Sequence, residues 1–334
     1  MNFTKVLLLM LLSAFLLSCT PNRWDVKISD VEISMNYQRF DIDLFTANRD
    51  SIWQSVPKWK DKYGNFFEAY NQQIIKIGSS SSMDYDEKLK FFLTDPYIEE
   101  AYQDVQKIYN PLPFEKELTD AFRRYHYYFP DKSLPKIYTH ISGFNQSIVI
   151  DSGYFSISLD KYLGADSKFY AMLRTPAYLS NNMHHQKICS DVMCALALTE
   201  FPFKSEKDDL LSHMIYYGKI QVFVDAMLPV EADSLKWGYS EDKLKWCYKN
   251  ERMMWLYLVE NKLLFNSTYK ERKKYIDEGP FTATFSNESP ARTGQWIGYR
   301  IVNAYMDKYP EVTLKQLMDD QNYQDILNKS KYKP

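Results

Sequence analysis

The chain has 334 residues, 41 basic and 43 acidic side chains and a formal net charge of −2. No basic stripe marks a nucleic-acid footprint. Ten glycines are few for the tight turns of an all-β protein.

The chain order begins with MNFTK and then VLLLMLLSAFLL, residues 6–17, without a charge. About twelve apolar residues are too short to cross a bilayer as a lone helix, but fit the apolar part of a secretory signal peptide. LLSC follows, and apolar, small, cysteine in that order resembles the lipobox of bacterial lipoproteins. The expectation is a signal peptide over 1–18, cleaved before Cys19. Acyl chains, palmitate among them, would then sit on Cys19, and several chains on one residue exceed the marginal binding of one. Residues 19–30 are expected as anchor and tether, and 31–334 as a single helix-rich domain. No later run approaches membrane-spanning length. TPNRWD, directly after Cys19, holds no acidic tract, which favours a lipid-anchored envelope protein facing the periplasm.

Residues 31–37, VEISMNY, alternate apolar and polar and predict a strand, continued or capped by RFDIDLF at 39–45. From Ile52 to Asp131 the pattern is helical, with Pro96, Pro111, Pro113 and Pro130 as boundaries. The run KIYTHISGFNQSIVIDSGYFSISLDKYLG predicts three short strands near 136–141, 146–151 and 153–159. ICSDVMCALALTE, 188–200, is an almost wholly apolar helix, buried on most sides. LLSHMIYYGKIQVFVDAMLP follows as a long helix with an internal glycine, ended by Pro229. The last third is helical again, in EDKLKWCYKNERMMWLYLVENKLL, STYKERKKYIDE and GQWIGYRIVNAYMDKY. Helices, a small antiparallel or mixed sheet, then helices give a mostly helical α+β domain. The scattered tyrosines read as helix-face fillers, ring inward and hydroxyl outward.

The most tempting chemistry is NNMHHQKICSDVMC, with two histidines and two cysteines. The spacings His184, His185, Cys189, Cys194 match no zinc finger, ribbon or CxxC pattern. Both histidines are expected on an exposed first turn or loop, and both cysteines as small buried apolar residues. With Cys19 lipidated, Cys189, Cys194 and Cys247 allow at most one disulfide, and helical spacing points Cys189 and Cys194 apart. No HExxH, Walker loop, GxGxxG or GxSxG is present. Asp41, Asp43, Asp208 and Asp209 read as solvated carboxylates. No cofactor is implied.

Together, QSIVIDSGYFSISLDKYLG, the buried helix, LLSHMIYYGKIQVFVDAMLP and SPARTGQWIGYRIVNAY resemble a zincin-like arrangement. With the lipobox and RFDIDLF they are most similar to the gliding-motility lipoprotein family GldB of Bacteroidetes, over nearly the whole chain. In active zincins of gluzincin type the buried helix carries HExxH and the next helix a ligating glutamate just before its glycine. The resemblance therefore implies a pseudoenzyme. The buried helix lacks histidine, Tyr217 precedes Gly218, and a zinc site needs three or four ligands. The implied function is non-catalytic binding of envelope or gliding-apparatus components, with the membrane reached through Cys19. A persisting cleft would be lined by His213, Tyr217, Arg292, Trp296 and Arg300. Two other readings stand beside it. One is a divergent metallopeptidase or hydrolase using His184, His185, Cys189 or Asp191, with Cys194 and Glu200 as further substitutes. The other is a glycan-binding lipoprotein with a row of exposed aromatics.

Overall fold

The computed structural model describes residues 22–151 and 153–334. The expected signal segment 1–18 and Cys19 lie outside them. Among the described residues, the helices of eight residues or more are α1 Val56–Tyr63, α2 Tyr85–Thr94, α3 Pro96–Tyr109 and α4 Glu115–Tyr128. After the sheet come α5 Ile188–Glu200, α6 Leu210–Met227 and α7 Glu241–Glu260. The last are α8 Tyr269–Ile276, α9 Thr293–Lys308 and α10 Tyr323–Ser330.

The strands are β1 Tyr37–Arg39, β2 Lys136–His140, β3 Ile148–Asp151 and β4 Tyr154–Ser158. They form one mixed sheet in the order β1-β2-β4-β3. β1 runs parallel to β2 and β2 parallel to β4, while β3 closes the edge antiparallel to β4. All five residues of β4 are buried, as a central strand covered on both faces requires. The α+β class expected from the element order is what the chain adopts.

Residues 31–36, expected as a strand, form no regular element; the first strand begins only at Tyr37, the last residue of that run, and RFDIDLF turns helical from Phe40 to Phe45. The reason is local. Asp41, expected in solvent, is fully buried. Arg39 holds it with two hydrogen bonds, Nε to Oδ1 at 3.0 Å and Nη2 to Oδ2 at 2.7 Å. Thr139 of β2 and Gln106 of α3 donate to the same carboxylate. Four donors satisfy a carboxylate whose burial would be costly without partners. Asp209, also buried, accepts from the Ser212 amide as the cap of α6. Asp43 is one-third exposed and pairs with Lys62, and Asp208 stays mostly exposed.

The core has two textures. Beneath the sheet, Phe40 meets the rings of Trp59, Tyr63, Phe66, Phe67 and Tyr70 at centroid distances between 4.7 and 6.3 Å. Elsewhere α6 and α9 cross with their backbones in contact at Gly218 and Gly298. At the start of the described chain, Trp24 is 8% exposed and packs edge-on against Tyr128. Part of the segment expected as a tether is therefore held on the body.

Candidate functional site

α5 buries Ile188, Cys189, Val192, Met193, Leu196 and Ala197, which leaves a half-open stripe of Asp191, Cys194, Ala195 and then exposed Leu198. Positions i, i+3, i+4 and i+7 are one helix face. Asp191 is already engaged: Lys187 Nζ lies 2.5 Å from its Oδ1, and the Tyr162 hydroxyl donates to Oδ2 at 2.9 Å. Burial pushes the Cys194 thiol above its ordinary range, away from the thiolate that binds metal or attacks carbon. The Cys189 thiol is raised too, first by burial and then by Glu117 and Glu231. Cys189, Cys194 and Cys247 are all free thiols.

His184 and His185 sit ahead of α5, His185 opening a short 3-10 turn and His184 bridging to Leu163. His184 Nδ1 lies 2.8 Å from Gln186 Oε1. Burial, then His184, lowers the His185 pKa. Among the described residues, no three His, Cys, Asp or Glu side chains converge as a metal-holding group.

The five residues expected along a cleft do not gather in one. His213 stacks on Phe203 at 4.2 Å, and its Nε2 is 2.6 Å from Asp208. That hydrogen bond, followed by Arg272, holds the Asp208 carboxyl below its usual range. Tyr217 is half-buried. Burial raises its pKa, with Asp277 and Cys194 adding and Arg272 opposing, so Tyr217 of α6 lies within electrostatic reach of the α5 stripe. Trp296 is fully buried between Trp237 and Tyr248 and lines no groove. A large ring on the inner face of a helix is taken up by the core. Arg300 pairs with Glu251 at 2.9 Å over the Tyr248 ring, a contact that Tyr332 shares.

Arg292 does line a cavity, of about 430 Å³, together with His184, Asn182, Tyr239, Lys243 and Glu278. It precedes α9 in left-handed backbone, φ 56°, which a side-chain-bearing residue adopts only when its surroundings hold it. Three contacts do so. Nη2 donates to the Trp237 carbonyl at 2.6 Å, Nε is 3.1 Å from Glu278, and the guanidinium lies 5.1 Å from the Tyr239 centroid. Tyr239 in turn donates to the Ala291 carbonyl at 2.6 Å, and Asn182 to that of Gly238 at 3.0 Å. The cavity floor is thus tied to the body. Burial lowers the Lys243 pKa. Arg292 also lies within electrostatic reach of Cys194 and Asp191.

Sequence reasoning found Arg292 and the loop position of His184, but not the cavity between them. The residues Gly238-Tyr239-Ser240 that close it follow a five-residue helix, Asp233–Trp237, too short to show a periodic pattern. The exposed tryptophan and tyrosines, Trp53, Tyr97, Tyr127, Tyr248 and Tyr269, lie on separate elements. Trp24, Trp59, Trp237 and Trp296 are buried, which leaves little for a glycan platform.

A family model described as gliding motility protein GldB matches residues 21–334. No curated protein and no solved structure matches the chain.

Proposed function

This chain belongs to the GldB family of gliding-motility proteins, and we propose that it is a non-catalytic, lipid-anchored envelope protein on a degenerate zincin-like scaffold. It acts by binding components of the gliding apparatus or related envelope machinery. The family name supports an envelope lipoprotein tied to motility. No described helix is long and apolar enough to cross a membrane; in this reading the lipidated Cys19 is the anchor.

The observation that carries the non-catalytic part is the state of the α5 stripe. Asp191 is engaged by Lys187 and Tyr162, burial favours the protonated Cys194 thiol, and the rest of the stripe is Ala195 and Leu198. A hydrolytic zinc centre needs three protein ligands and an open position for water. Tyr217 stands on α6 where the third ligand would be a carboxylate. Two further features support the scaffold reading: the antiparallel edge strand β3, and the buried α5 followed by α6. In this reading the cavity at Arg292 serves binding, and its lining mixes Tyr239 with the charged Lys243, Glu278 and Arg292.

Complementation tests the reading. Cells deleted for this protein should regain surface movement with Cys194→Ala and Tyr217→Phe together, because neither side chain does chemistry. They should not regain it with Arg292→Ala and Lys243→Ala together, provided that immunoblots show equal protein. The reverse pattern, movement lost with the stripe variants and kept with the cavity variants, would favour a divergent metallopeptidase instead.

A further inference from the structure

We infer that the surface around Asn22 is a lipid-facing surface, held against the bilayer itself, so that the domain does not swing free on a tether. This rests on the lipid-anchored reading above. Three adjacent residues at the start of the described chain are fastened to the body. Asn22 Nδ2 donates to the Pro229 carbonyl at 2.9 Å, just beyond α6. Arg23 Nη2 donates to the Met306 carbonyl at 2.9 Å, in the last turn of α9, and its Nη1 is 3.8 Å from Asp307. Trp24 packs on Tyr128 at the end of α4. A segment that short touches all three places, so they share one region of the surface.

The length of chain before that point sets the distance. From Cys19 to Asn22 there are three residue steps, which span about 11 Å at full extension. With acyl chains in the bilayer and Asn22 bound to the body, the exit point stays within that reach of the headgroups. The surface around the exit is therefore the part of the domain brought nearest to them. The surface beside the exit suits such contact. Val230, next to Pro229, is 84% exposed, and Tyr127, next to Tyr128, is 49% exposed. A tyrosine with its ring apolar and its hydroxyl wet belongs at a membrane–water interface.

The apolar patch of α2 makes a natural control. Met83 and Phe91 are strongly exposed. Phe92 and Ile98 beside them pack at Gly143, just beyond β2. The contacts of Asn22, Arg23 and Trp24 lie on other elements, at Pro229, Met306, Asp307 and Tyr128. Arg292 is fourteen residues from Met306 on α9, about 21 Å along the helix, so the cavity is also removed from the exit.

The test uses the full-length lipidated protein in vesicles of phosphatidylethanolamine and phosphatidylglycerol. A Cys194→Ser background would carry a fluorophore at Val230→Cys, Tyr127→Cys or Met83→Cys. Quenching by a lipid with a nitroxide headgroup should be severalfold stronger at 127 and 230 than at 83. Inserting about twelve Gly/Ser residues between Thr20 and Pro21 adds about 20 Å of flexible reach and should remove most of the difference. Trp24→Ala, which loosens the segment without lengthening it, should reduce it in part. Equal quenching at all three sites in protein that floats with the vesicles overturns the docked surface and leaves the anchor standing. Protein that fails to float overturns the anchor, and this inference with it.

Discussion

The two halves of the core solve close packing in opposite ways. Under the sheet, space is filled by rings around Phe40, mostly edge to face. Between α6 and α9, space is removed, and backbone meets backbone at Gly218 and Gly298. The first arrangement can relax when an atom is lost, because rings shift and neighbours follow. The second cannot relax when an atom is added, because what it would strike is the peptide chain of another helix. The lesson is that the same burial carries unequal sensitivities, a graded loss on truncation where rings can close in and an abrupt one on growth where backbones touch.

The largest effect is expected at Gly298→Ala. A Cβ there would lie 1.7 Å from the Met214 carbonyl oxygen and 2.2 Å from its carbon, so α6 and α9 must part. Thermal unfolding followed by circular dichroism should show a broad, early transition or none. Gly218→Ala, 2.4 Å from the Gly298 carbonyl carbon, should behave alike. A sharp wild-type transition in either would mean that the helices tolerate separation, and would break the contrast.

Next is Phe40→Ala, which removes the ring shared by five others. It should cost about 3 to 5 kcal/mol in denaturant unfolding while leaving a cooperative transition. Phe40→Leu should cost less than half of that, because the ring cluster can close on it. If the two cost the same, ring geometry rather than volume governs that half of the core.

Acid sharpens the comparison further, since the ring region also holds a titrating group. His140 of β2 is fully buried against Phe66 and Tyr70. Its Nδ1 is 2.6 Å from Ser156 Oγ, and burial lowers its pKa from 6.5 to about 3. The folded state therefore resists protonation that the unfolded chain accepts. Above pH 6.5 the group is neutral in both states and costs nothing. Below it the unfolded chain takes up the proton, so stability falls as pH drops from 6.5 toward 3. Between pH 6.5 and 5 the loss is about 2 kcal/mol. His140→Gln should flatten that slope in urea titrations at the two pH values, whatever it does to stability at pH 8. An unchanged slope would place the acid sensitivity elsewhere.

The smallest effect belongs to the periphery of the α6–α9 half. Thr313 caps the short helix Leu314–Asp319, with Gln316 reaching back to the Thr313 amide. Thr313→Ala should cost about 1 kcal/mol and leave both core textures intact.

Much of this was readable in the sequence, for definite reasons. α5 and α6 are long and apolar, with a proline beyond each, so length and composition fixed them without help from tertiary contacts. The three strands after Pro135 showed themselves by alternation and by turns at glycine. The short helix Leu314–Asp319 was missed although TLKQ, residues 313–316, is a capping-box pattern. Asp41 looked solvated because its partners Thr139 and Gln106 are 98 and 65 residues away. Trp296 read as a groove residue because its place on α9 was visible and its inward face was not. At the cavity, Arg292 and His184 come from segments more than a hundred residues apart, and what joins them, Tyr239 and the Gly238 carbonyl, is irregular chain. Gly218 stood out as an internal glycine. That Gly298 opposes it required the fold.

The central claim is that the α5 stripe and the residues before it have no metal chemistry left and that the chain works by binding. The most direct test is metal content by mass spectrometry on an untagged protein starting at Thr20, purified without chelator. A variant carrying His184→Ala, His185→Ala and Cys189→Ala would be measured beside it. The account predicts less than about a tenth of an equivalent of zinc in both, since a bound zinc needs three or four ligands. About one equivalent in the wild type, lost in the variant, would contradict the account and make peptidase activity the property to explain.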